Sequence, residues 1–189
     1  MSETLYRFLS YVLSPPAFAF YATIMFSILS PIGSGSINAI SSIMIGSFFL
    51  FLVPVFSVFY FSKEDIEVSK KENRTKIYVI SVLSYLTSAI IFWILNSHVM
   101  FVISVAYIFV GSAVSLINIF WKISAHTSGS AGPITALVYV FGIDLIPVYS
   151  LVFLISFVRF KMKAHNFSQL IIGALVAILI TFVVYKVLW

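Results

Sequence analysis

Two histidines, each with cations at short spacing, interrupt a chain that is otherwise almost wholly apolar. WKISAHTSGSAG (121–132) holds Lys122, Ser124 and His126. VRFKMKAHNFSQ (158–169) holds Arg159, Lys161, Lys163 and His165 and closes on Gln169. Beyond Lys76 the only carboxylate is Asp144, so neither group has an acid beside it. Hard cations need several oxygen ligands, and two imidazoles alone make a poor zinc site. Cations around two imidazoles suit a bound anion, phosphate above all. No metal or other cofactor is expected. The chain also lacks cysteine, which excludes thiolate ligands and a cysteine nucleophile. If residues 121–129 are helical, Lys122 and His126 share a face at i, i+4, and Arg159 and Lys163 repeat that spacing. The small run TSGSAG lets backbone N–H groups approach a ligand at a helix start, with Pro133 nearby.

The elements that must hold these residues belong in a membrane. Of 189 residues, 61% are hydrophobic and 9% charged, and mean hydropathy is +1.12. Soluble domains carry roughly 25% charged residues, so the bilayer must be the solvent and lipids the surroundings; nothing points to nucleic acid. Residues 1–14 read as a helix lying in the interface. Apolar runs at 15–31, 37–61, 77–95, 99–121 and from 170 onward each suit a span of about 20 residues. Residues 129–160 as one helix would reach about 45 Å and place Asp144 near the bilayer centre. A hairpin that turns at Gly142, Asp144 and Pro147 avoids both problems, with arms over 125–141 and 145–163. The expectation is an all-α polytopic bundle of about six to seven membrane segments. It forms a single domain over 1–189, with a charged loop at 62–76 and a site-bearing hairpin region at 121–169. Ten of the eleven Lys and Arg residues then fall on one face, which the positive-inside rule makes cytoplasmic. A plasma-membrane location is expected. Lys161 and Lys163 also suit span ends, where cations snorkel toward headgroups, and Trp93, Trp121 and Trp189 suit interface anchors.

Ser124-Ala125-His126, and Arg159 followed after five residues by His165 and after three more by Gln169, resemble the second and third motifs of the type 2 phosphatidic acid phosphatases. Those are metal-independent membrane phosphatases that share a fold with some haloperoxidases. The family's second motif is Pro-Ser-Gly-His; its third is Ser-Arg, five residues, His, three residues, Asp. Here Ile123 and Ala125 replace the proline and glycine, and Val158 and Gln169 replace the serine and aspartate. The family's first motif, Lys, six residues, Arg-Pro, has no counterpart. Arg74 in KKENRTK is the nearest stand-in, with Lys70 or Lys71 beside it.

The resemblance implies roles. His165 attacks phosphorus and becomes a phosphohistidine, and His126 protonates the leaving oxygen and later activates water. Arg159, Arg74 and Lys122 hold phosphate oxygens, and Ser124 donates a hydrogen bond to them. Gln169 supports the nucleophile but is neutral where the family has a charge. The expectation is a slow or specialised hydrolase of a lipid phosphate or prenyl (di)phosphate. The alternative is a non-catalytic lipid-phosphate-binding or transport protein on the same fold.

Overall fold

The computed structural model describes residues 3–62 and 71–189. Glu64, Asp65, Glu67 and Lys70 of the charged loop lie outside them. Among the described residues the chain is all-helical. It runs through α1 (Glu3–Val12), α2 (Pro15–Leu29), α3 (Ala39–Gly46), a π-helical segment (Ser47–Leu52) and α4 (Val53–Ser62). Then follow α5 (Lys71–Ile94), α6 (His98–Phe120), α7 (Ala125–Phe141), a 3₁₀ segment (Ile143–Tyr149), α8 (Ser150–Lys161) and α9 (Phe167–Leu188).

Five helical stretches are long and apolar enough to cross a membrane: Ala39–Ser62, Glu72–Ile94, His98–Phe120, Ile143–Lys161 and Phe167–Leu188. The pair α1 and α2, bent by 44°, makes a sixth if counted as one span. These helices are compatible with an integral membrane protein. The two shortest sequence-predicted spans fall below this length. Helix α2 has 15 residues and α7 has 17, so α7 reaches only about 26 Å at 1.5 Å per residue. Instead α7 is the hub, with its residues from Thr127 to Leu137 buried apart from Gly129, packed against α2, α6, α8 and α9. Gly142, at φ +104°, ends α7 before the 3₁₀ segment, so one continuous helix over 129–160 does not form.

Small residues let α7 take that place. A Cβ on Gly129 would strike the ring of Pro15 at the start of α2. One on Gly173 of α9 would come within 2.5 Å of Thr127 Oγ1 and 2.8 Å of the Ser124 carbonyl oxygen. Pro133 lies inside α7 rather than near its start.

Hydroxyls pin the neighbouring helices. Ser27 and Ser42 meet at 2.7 Å and Ser88 and Ser104 at 2.9 Å. Ser84 Oγ donates to the Phe49 carbonyl, in the π-helical segment, at 2.6 Å. In an apolar bundle such hydrogen bonds satisfy polar groups that hydrocarbon would leave bare.

Candidate functional site

The two sequence groups converge because three helix ends meet. Helix α8 stops in a Schellman turn: the Ala164 N–H donates to the Arg159 carbonyl (3.1 Å) and the Lys163 N–H to the Phe160 carbonyl (2.9 Å). Lys163 takes the left-handed position at φ +55°, usually a glycine's. Asn166 then caps α9, its side chain accepting from the Gln169 N–H at 2.9 Å. Last turn, Schellman turn and cap together account for the five residues between Arg159 and His165. Lys122 Nζ donates to the Ala164 carbonyl at 2.8 Å and ties this turn to the start of α7. The Ser124 N–H donates to the Gln169 carbonyl at 3.3 Å, a backbone stitch between the two motifs.

Gln169 has two duties. Its Oε1 accepts the Asn166 N–H at 3.2 Å, completing a capping box, and faces His165 Nδ1 at 3.1 Å. Because a backbone N–H points at this amide atom, it must be the oxygen. His165 Nδ1 must then carry the proton, which leaves the lone pair on Nε2. Burial lowers the His165 pKa from 6.5 to about 4, helped by the positive charges of Arg159, Lys122 and Arg74 and opposed by the Gln169 hydrogen bond. At neutral pH the ring is therefore an uncharged base of fixed tautomer.

Arg159, with 3% of its surface exposed, and His126 meet on a residue from another part of the chain. Arg159 Nη1 donates to Ser10 Oγ at 2.9 Å, and the same oxygen lies 3.3 Å from His126 Nε2. Arg74, Lys122, His126, Arg159 and His165 all line one cavity of about 1400 Å³. That exceeds the roughly 300–1,000 Å³ of a small-molecule site. Arg7, Lys161 and Lys163 stand on its wall too; Glu3 also lines it, 2.8 Å from Arg7. From this basic end the wall continues into the bundle along Ile77, Val82, Ile103, Ala106, Val110 and Val114.

Five of the sequence-predicted residues thus share one wall. Ser124 does not: it is fully buried, and its Oγ accepts the Thr127 N–H at 3.3 Å as the cap of α7. Gln169 supports His165 from behind. Lys122 lies in non-helical chain before Ala125, so it and His126 do not share a helix face, and Lys163 lies beyond the end of α8. Both are drawn in by the turn rather than by helical periodicity. Ser10 was missed. The sequence carried no signal for it: on the short helix Ser10 lies beside Glu3, Arg7 and Ser14, off the apolar stripe. Among the described residues no group of three metal-ligating side chains occurs.

The described residues thus form an all-helical chain with five or six stretches long and apolar enough to cross a membrane, and a cavity lined by several cations and two histidines. No family model, curated protein or solved structure gives a match to this chain.

Proposed function

We propose that this chain is a metal-independent membrane phosphatase acting on a lipid phosphate or prenyl (di)phosphate. The observation that carries the reading is a neutral His165, its Nε2 lone pair available, on one cavity wall with His126, Arg159, Lys122 and Arg74. The apolar continuation of the same cavity supports a substrate with a hydrocarbon tail. His165 Nε2 attacks phosphorus, and the bond to the lipid oxygen breaks as that oxygen takes a proton from His126 in its imidazolium form. Burial and Arg159 disfavour that form until a phosphate anion sits beside it. The guanidinium and ammonium groups hold the non-bridging oxygens as charge shifts among them. Water, deprotonated by His126, then attacks the phosphohistidine; the N–P bond breaks, His165 recovers its lone pair and phosphate leaves. Gln169 holds the nucleophile's tautomer, and its neutrality makes turnover slow relative to a carboxylate in that place. The basic site is read as cytoplasmic in a plasma membrane.

A second reading, a lipid-phosphate-binding protein without turnover, is favoured by that same neutral Gln169. The test is phosphate release by protein in detergent with EDTA, from prenyl and glycerolipid phosphates, with His165→Ala and His126→Ala alongside. Release that survives the chelator and is lost in both variants is expected. Tight lipid-phosphate binding with no release from any substrate would replace the first reading with the second.

A further inference from the structure

Helix α1 sets Ser10 in the site, with Arg7 and Glu3 also on the cavity wall, and the Ser10 hydroxyl meets the very groups a phosphate would need. A serine hydroxyl has one hydrogen and two lone pairs. Ser10 accepts from Arg159 Nη1 at 2.9 Å and occupies the in-plane position of His126 Nε2 at 3.3 Å. That nitrogen has room for one partner in its plane, whichever side holds the proton. While Ser10 is there, no substrate oxygen can take its place between Arg159 Nη1 and His126 Nε2.

The remainder of α1 is built to move as a unit. Leu13 and Ser14 join it to α2 at a 44° bend, and the Tyr21 hydroxyl of α2 donates to the Val12 carbonyl at 3.1 Å. It packs mainly on α8, with Tyr6 and Leu9 partly buried against the core and Ser10 fully buried. Leu5, Phe8, Tyr11 and Val12 are exposed beside the exposed Arg7–Glu3 pair, an amphipathic surface that suits a helix at the headgroup boundary. Displaced along that boundary, α1 keeps its hydrocarbon out of water.

We propose that α1 is a lid latched by Ser10, and that the Ser10 hydroxyl oxygen marks the subsite where a phosphoryl oxygen of the substrate binds between Arg159 and His126. This rests on the reading of those two residues as the phosphate-handling pair. An anion opens the lid by taking over both hydrogen bonds, so substrate entry and lid release are one competitive step. Free phosphate and a lipid phosphate share this chemistry.

The natural chain has no cysteine, so Leu9→Cys supplies a unique thiol on the half-buried side of α1. Its rate of maleimide modification in detergent reports opening, and Phe8→Cys, on the exposed side, is the control. Adding Ser10→Ala speeds Leu9→Cys modification roughly 3- to 10-fold, the effect of losing one or two hydrogen bonds from the closed state. Inorganic phosphate speeds it in the Ser10 background and does much less after Ser10→Ala, while Phe8→Cys stays constant throughout. A flat response in either the Ser10→Ala arm or the phosphate arm overturns the lid. Both arms responding, with no lipid phosphate hydrolysed in the release assay, keeps the lid and removes the catalytic reading. If both readings hold, Ser10→Ala also raises kcat/KM several-fold.

Discussion

Replacing Gln169 with glutamate changes one charge at an atom whose partners are known. The new carboxylate oxygen would stand where Oε1 now does, 3.1 Å from His165 Nδ1 and 3.2 Å from the Asn166 N–H. Glutamate is as good as glutamine at this place in a capping box, so α9 keeps its start. Two unit charges about 4 Å apart interact by about 4 kcal/mol at an effective dielectric constant near 20. Fully felt, that is about 3 pKa units; the partial exposure of His165 screens it to about 1–2 units. The imidazole should therefore rise from about 4 to roughly 5–6. A phosphorylated, positively charged His165 gains the same stabilisation, so phosphoryl transfer should quicken by about 10- to 100-fold. Gln169→Leu should do the reverse. It leaves the tautomer unset and removes two hydrogen bonds, at about 1–3 kcal/mol of stability. Long-range ¹H–¹⁵N spectra of histidine-labelled protein, followed through a pH titration, give both midpoint and tautomer. A His165 midpoint that stays near 4 in Gln169→Glu, or a wild-type ring protonated on Nε2, would refute this account of the site.

Three further outcomes follow from the geometry. Arg159→Gln should lower phosphate release by about 10²- to 10³-fold, as loss of a charged donor to the transferring group does, measured as kcat/KM with the release assay. Gly173→Ala should destabilise the chain by about 1–3 kcal/mol, because the new methyl meets Thr127 Oγ1 and the Ser124 carbonyl; thermal unfolding in detergent reads this, and an unchanged midpoint would count against the packing described. Because the folded His165 pKa is lowered, the unfolded chain binds the proton first as pH falls. Its contribution therefore weakens stability from about 6.5 down to about 4 and not further, a dependence that His165→Gln should abolish in unfolding curves taken across that window.

Composition and apolar run length were enough to read helices and their order, since hydrocarbon admits little else. Of the expected turn at Gly142, Asp144 and Pro147, only Gly142 breaks the helix, at a positive φ that suits glycine. Asp144 and Pro147 lie in the 3₁₀ segment that opens the stretch Ile143–Lys161. Span number was less legible, because α7 gains its stability from burial within the bundle rather than from lipid contact, and hydropathy does not separate the two. For the site, the spacing of Arg159, His165 and Gln169 corresponds in the structure to a helix end, a turn and a cap. Helical periodicity failed for Lys122 and Lys163, which lie in non-helical chain. Ser124 was expected to donate to the phosphate, whereas it is fully buried off the cavity lining with its oxygen capping α7, a placement that sequence spacing does not reveal. Ser10 could not be placed from spacing at all, since 116 residues separate it from His126.

The serine contacts between helices bear on how such a bundle can breathe. Sliding α5 along α6 by one turn would part Ser88 from Ser104, and a shift of α2 on α3 would part Ser27 from Ser42. Each loss strands hydroxyls in an apolar interior until another partner comes within reach. Relative motion of these helices is thus notched: a pair is either seated or a full turn away, with little stability between. A frame of that kind transmits strain rather than absorbing it, and it leaves the compliance of the molecule to the segments it does not notch, the short helix α1 first among them.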